Sequence, residues 1–384
     1  MDLETFSALR QAVRRFVSTR LIPSEDVVET TDNVPDDIIQ EMRDLGLFGL
    51  TIPEKYGGID LSVGEEARVI FELGHAALAF RSVIGTTVGI GSQGIVIDGT
   101  PEQKDEWLPR LASGATVSSF ALTEPDAGSD AASIRTSARR DGDDYLINGT
   151  KRYITNAPRA GVFTVMARTE PDKPGADGIS AFIVPADLPG IKLGKPDRKM
   201  GQRGTKTCDV IFEDCRVPAR NIIGGVPGVG FKTAMKVLDR GRIHLSALAC
   251  GMCERLIHEA LAYATERRQF GSPIAQFQLI QAMLADSRVD ASVAWAMTKQ
   301  TAFRYDRGED ISMDAASSKY FSSEAVGRIA DRAVQIHGGA GYMADSKVER
   351  FYRDVRLLRI YEGTSQIQQL LIARKMVRQF GAGQ

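Results

Sequence analysis

Apolar residues from Phe6 to Val17 recur at three- and four-residue steps between charged ones, the spacing of an amphipathic helix. The same pattern returns in DDIIQEMRDLG, where Pro35 opens the run and Gly46 closes it as a C-cap. A loop with Pro53, Gly57 and Gly58 follows, then further helical periodicity down to EQKDEWLPRLASG. Residues 1–115 therefore read as an N-terminal helical domain.

The period then changes. Short β-rich runs occur at Tyr145–Ile147, Val162–Ala167, Ile179–Val184 and Cys208–Phe212. Turn signals separate them: Asp141-Gly142, Asn148-Gly149 and Pro189-Gly190. The Asn-Gly pair between YLI and KRYIT predicts a hairpin. Eight of the fifteen prolines fall between 116 and 225, a usage that suits a loop-rich β domain.

Helical periodicity resumes at Gly228. Pro273 is the last proline, and its absence afterwards suits long helices, because an interior proline costs ~3 kcal/mol. Residues 226–384 read as a C-terminal helical bundle. The expected fold is α+β: a helical domain, a central β-barrel or sandwich, then a four-helix bundle.

Composition changes this picture little. Charged residues make up 25% of the chain and the net charge is −1, so no global field draws it to nucleic acid or a membrane surface. The start, MDLETFSALRQAVRRF, lacks the apolar core of a signal peptide. The most apolar stretch, Ala76–Ile97, is interrupted by Arg81, Ser82, Thr86 and Thr87 and does not read as a membrane span. A protein of the bacterial cytoplasm is the expectation. Cys250 and Cys253 form a C-x-x-C pair within a helical pattern, while Cys208, Cys215 and the four histidines are scattered. Buried structural thiols explain this better than zinc, and no metal is expected.

Three segments concentrate small and polar residues. Phe120-Ala-Leu-Thr-Glu-Pro-Asp-Ala-Gly-Ser-Asp130 offers backbone and hydroxyl donors, with Gly128 free to take a positive φ; the plain alternative is a capped β-turn. Arg332-Ala-Val-Gln-Ile-His-Gly-Gly-Ala-Gly-Tyr342 can bring backbone close to a ligand or simply end a helix. Tyr361-Glu-Gly-Thr-Ser-Gln366 opens an amphipathic helix with Thr364 or Ser365 as N-cap. Glu362 there is either a dipole-stabilising acid or a carboxylate base. Gly89-Ile-Gly91-Ser-Gln-Gly94 matches the dinucleotide fingerprint, but it lies in a helical domain without a preceding strand, which makes it a chance match.

In series, FALTEPDAGSD (120–130), KRYITN (151–156), ERRQFG (266–271), QIHGGAGY (335–342) and YEGTSQ (361–366) resemble the acyl-CoA dehydrogenase family nearly end to end. The resemblance implies FAD as cofactor. Phe120, Leu122, Thr123, Gly128 and Ser129 would lie along the isoalloxazine and pyrophosphate, with Tyr153, Ile154 and Thr155 on the other side. Thr155 would reach towards N5. Arg267, Gln269, Phe270, Gln278, Gln335, Ile336, Gly338 and Gly339 would hold the ADP half from a neighbouring subunit, and Gly363, Thr364 and Gln366 would complete the cofactor site. A homodimer or a dimer-of-dimers homotetramer is then expected.

The resemblance also implies Glu362 as the base that removes the α-proton of an acyl-CoA thioester, with Tyr361 and Gly363 against the substrate. Ser129, Asp239 and Arg242 would contact the CoA side. The thioester oxygen would receive bonds from a ribityl hydroxyl and from the Glu362 N–H. Some relatives carry the base just before an arginine matching Arg242; here that position is Gly241, which cannot act. Electrons would leave through an electron-transfer flavoprotein. An acyl-CoA oxidase, a flavin monooxygenase on this scaffold, or a non-catalytic acyl-CoA or flavin binder are the rivals. Chain length, branching and ring character of the acyl group are left open.

Overall fold

The computed structural model describes residues 1–382. Seven helices come first: α1 (Leu3–Phe16), α2 (Glu25–Thr31), α3 (Asp36–Asp44), α4 (Val63–Leu73), α5 (Leu78–Gly85), α6 (Gln93–Asp98) and α7 (Pro101–Ala112). Local chemistry fixes several of their ends. Asp2 caps α1 through Glu4 and Thr5 N–H. Ser62 with Glu65, and Thr100 with Gln103, form reciprocal capping boxes on α4 and α7. Gly46 takes φ 70° just after α3, as the C-cap reading requires. The G-x-G-x-x-G run falls in the wide π-type turn Thr86–Gly91 and the start of α6, with no strand before it.

Seven strands form one curled sheet: β1 (Ser118–Ala121), β2 (Ser137–Asp141), β3 (Asp144–Thr155), β4 (Val162–Arg168), β5 (Ile179–Pro185), β6 (Ile191–Leu193) and β7 (Thr207–Pro218). The order is β1-β4-β2-β3-β7-β6, with β5 paired to β4. Asp141-Gly142 does turn β2 into β3, with Gly142 at φ 63°. Asn148-Gly149 does not make a hairpin. The strand runs through it, and a bulge between Ile147 and Gly149 absorbs the Asn-Gly pair. Asn148 spends its amide on Asp214 of the partner strand β7, at 2.9 Å, so the pair stays within the ladder.

The chain closes with α8 (Gly230–Glu266), α9 (Gln278–Asp306), α10 (Ser312–His337), α11 (Lys347–Val355) and α12 (Ser365–Ala382). α10 packs on α8, α9 and α12, and α4 packs on α8 and α9, so the two helical regions share one core. α4 and α8 cross closely: a Cβ on Gly251 would stand 2.1 Å from the Phe71 carbonyl oxygen. Buried Glu25 joins the same regions by pairing with Arg255 at 3.0 Å. Cys250 and Cys253 lie buried in α8, and burial pushes the Cys250 thiol up to about 12.

Candidate active site

The loop after β1 owes its shape to a buried ion pair that the sequence reading did not single out. Lys151, wholly buried on β3, donates to Glu124 at 2.7 Å and to the Leu122 carbonyl at 3.1 Å. Glu124 also accepts from the Arg135 and Thr136 N–H groups at 2.6 and 3.0 Å. Burial pulls the Lys151 ammonium down to about 8, while Glu124 is held below the ordinary carboxylate range. For Glu124, burial works upwards, and Lys151 with the amides outweighs it. The Arg152 N–H reaches the Thr123 carbonyl at 2.8 Å. Thr123, Ser129, Tyr153 and Thr155 are thereby brought to one wall. Gly128 does not use a positive φ, and its missing Cβ would face open space.

That wall lines a cavity of about 730 Å³ together with Phe120, Leu122, Gly128 and Ile154. Tyr153 sits at φ 59° and is 64% exposed, an unusual state for a large aromatic that the surrounding strand must enforce. Asn156 ties this side to the opposite wall, donating to the Ser82 carbonyl at 2.7 Å and to Thr86 at 2.8 Å.

The opposite wall comes from α5, the π-type turn after it, α8 and the turn before α12, and it contains Arg81, Ile90, Arg242, Tyr361, Glu362 and Gly363. Glu362 takes φ 52°, the left-handed region. Lys319 of α10 holds the turn by donating to the Gly363 carbonyl at 2.6 Å, and Gln368 bonds the Glu362 and Gly363 carbonyls at 3.0 and 3.1 Å. Thr364 caps α12 through the Ile367 N–H at 3.2 Å. Glu362 is half-buried and opens to the cavity, yet its Oε2 is shut from solvent and has no hydrogen-bond partner among the described residues. Burial raises its carboxyl above the ordinary range, against the opposing pull of Arg81, Lys319 and Arg242. Gly241 makes the space: a Cβ there would meet Oε2 at 2.6 Å.

Arg242 lines the cavity and pairs with Asp239 at 2.5 Å. Asp239 itself, like Thr364 and Gln366, stands outside the cavity lining. Arg267, Gln269, Phe270, Gln278, Gln335, Ile336, Gly338 and Gly339 also lie away from it. They sit at one end of the bundle, where Tyr263 of α8 stacks on His337 of α10 at 4.3 Å. Phe270 is 96% exposed there, at φ 49°. The cavity also takes in Arg81, Gln202, Met235 and Ile367, which the sequence reading did not assign. A charged residue inside the most apolar stretch was the available signal for Arg81. For Gln202 no local signal existed.

The cavity thus sets an unpartnered carboxylate on one wall against rings, backbone and small hydroxyls on the other, the build of an enzyme's active site. Comparison with known proteins gives the family. Family models for the acyl-CoA dehydrogenase N-terminal, middle and C-terminal domains match residues 4–115, 119–215 and 228–377. A probable acyl-CoA dehydrogenase YngJ of Bacillus subtilis is 42% identical over 370 residues, 96% of this chain and 97% of that protein. Acryloyl-CoA reductase (NADH) of Anaerotignum propionicum is 40% identical over 96% of this chain and 94% of its own length. A solved structure described as the electron transferring flavoprotein of Acidaminococcus fermentans superposes with TM-score 0.94, at 36% identity, covering 98% of this chain and all of that one. The chain belongs to the acyl-CoA dehydrogenase family, whose members are FAD-dependent. The residues fit that cofactor: the apolar face of Phe120, Leu122 and Ile154 suits a flat ring system, and Thr123 and Thr155 add residues with hydroxyls to the same lining. No helix among the described residues is long and apolar enough to cross a membrane.

Proposed function

We propose that the protein dehydrogenates an acyl-CoA thioester between its α and β carbons, with Glu362 as the base. The observation that carries this is the Glu362 carboxylate, aimed into the cavity with Oε2 unpartnered. FAD supplies the hydride acceptor when bound. The chain's own work is to hold the substrate, remove a proton and keep water away. An ordinary carboxylate, near pKa ~4.3, is too weak a base for a thioester α-proton. Desolvation at Oε2 raises it towards the task. The Glu362 N–H donates to no group among the described residues and is left for the thioester oxygen.

In this reading Phe120, Leu122, Thr123, Gly128, Ser129, Tyr153, Ile154 and Thr155 take the flavin, and Gly363, Thr364 and Gln366 complete that site. Arg242, held by Asp239, and Ser129 take the CoA side. The cluster from Arg267 to Gly339 serves a second copy of the chain in a homodimer or tetramer. Electrons pass to an electron-transfer flavoprotein. The reductase among the relatives supports a second direction on the same atoms: Glu362, protonated, would return its proton to the α carbon of an enoyl-CoA.

The experiment is Glu362→Gln, assayed with an acyl-CoA panel and a dye acceptor. Near-isosteric replacement keeps the yellow flavin band and acyl-CoA binding, while turnover falls ~10²–10⁴-fold, the range of a positioned general base. Near-normal turnover would move the base elsewhere. Rapid reoxidation of the reduced protein by air would make it an oxidase.

A further inference from the structure

Arg81 is 6% exposed, lines the cavity, and has no acidic partner within ion-pairing reach among the described residues. Its Nε–H donates to His244 Nε2 at 2.8 Å, and His244 Nδ1 lies 2.7 Å from Glu66 Oε1. Burial, then the charge of Arg81, pulls His244 down to about 4, so the ring is neutral: Nδ1–H donates to Glu66 and Nε2 accepts from Arg81. Glu66 is already committed to Arg240 at 2.6 Å. The Nη1 and Nη2 groups of Arg81 donate to no protein atom among the described residues.

The neighbouring cations are held by other groups. Arg242 has Asp239, Arg240 has Glu66, and Lys319 bonds the Gly363 carbonyl beside Glu362. Glu362 feels Arg81, Lys319 and Arg242 but forms an ion pair with none of them among the described residues, and the amino groups of Arg81 stay open to the cavity. The fold also makes room for this guanidinium. A Cβ on Gly85, one turn after Arg81, would stand 2.8 Å from its Cζ and Nη1. A buried cation without a paired anion is costly, and a site that holds its donors unpaired in a cavity discriminates for the ligand that pairs them.

We propose that Arg81 is a specificity-determining residue that receives a carboxylate carried by the acyl chain, so that the preferred substrates are mono-CoA thioesters of dicarboxylic acids. This rests on the acyl-CoA reading above and names the substrate class within it. His244 and Glu66 act behind it as positioning residues: a neutral imidazole fixes Nε and turns the two amino groups into the cavity. The planar fork suits a carboxylate bidentately.

The test pairs succinyl-, glutaryl- and adipyl-CoA with butyryl-, valeryl- and hexanoyl-CoA in the holoenzyme. The expected preference for the carboxylated member in kcat/KM is ~10²-fold or more, as for a site whose buried donors are otherwise unpaired. Arg81→Gln should collapse that ratio, and Arg81→Lys should keep part of it because charge is retained without the fork. A binding arm decides the matter without turnover. Anaerobic titration of the Glu362→Gln holoenzyme, read through the flavin band, should give tighter binding for the carboxylated series, lost when Arg81→Gln is added. Equal or better binding of the neutral series overturns the inference, whatever the turnover. Oxidation of the neutral series alone overturns it and leaves the dehydrogenase reading standing. Binding preference without any oxidation upholds it and sinks that reading. A ratio unmoved by Arg81→Gln, with only the pH profile of turnover shifted, makes Arg81 a counter-charge to Glu362 and refutes the proposal.

Discussion

Two buried charged groups flank the cavity and differ in one respect. Lys151 and Glu124 pair with each other and bond the backbone around them, and the loop they pin is the scaffold of one wall. Glu362, on the facing wall, leaves Oε2 unpartnered, and three nearby cations do not cancel the burial that raises it. A satisfied buried charge builds structure. An unsatisfied one is available for chemistry, and it persists only because the fold around it is held by others. Lys319, Gln368 and Thr364 do that holding for Glu362.

The contrast is sharpest when one member of each group is removed. Glu362→Gln should abolish most turnover and leave the fold intact. Its stability should depend on pH in a definite direction. The folded protein raises the Glu362 carboxyl, so that group's contribution is fully present below its unfolded value, near pH ~4.3, and is lost as pH rises through the folded value. The Gln variant therefore matches the parent at low pH and melts above it at pH 8, as differential scanning calorimetry of the holoenzymes would show. Lys151→Met does the reverse: it strands Glu124 and should cost ~3–5 kcal/mol in chemical denaturation, with loss of flavin as the loop frees itself.

Smaller changes sharpen the same comparison. Gly241→Ala places a methyl 2.6 Å from Oε2, but what it meets is the far end of a flexible side chain. The carboxylate shifts and the helix does not, so kcat should fall ~10–10²-fold, the cost of a displaced reacting group, with the melting temperature nearly unchanged. Thr364→Ala removes the cap of α12 and should cost ~1 kcal/mol by denaturation, with a modest rise in KM.

What the sequence reveals follows the same division. Motifs that are local in the chain, such as YEGTSQ and FALTEPDAGSD, are legible together with the change of hydrophobic period that separates helices from sheet. The Asn148-Gly149 pair misleads because its turn propensity is overridden by pairing with β7, more than sixty residues away. Lys151 is silent for a similar reason: in KRYITN it reads as one more polar strand residue, and its partner lies 27 residues earlier. Arg81 reads only as an interruption in an apolar run. The space that receives it, and the neutral histidine that aims it, come from α5 and α8 meeting in the folded chain.

The account stands most directly on the pH dependence of flavin reduction in single turnover, followed anaerobically by stopped flow with saturating acyl-CoA. The rate should rise with pH through one group titrating above the ordinary carboxylate range, and Glu362→Gln should be slow at every pH. A parent rate that titrates near pH ~4, or a Gln variant that bleaches the flavin as fast as the parent, would contradict it.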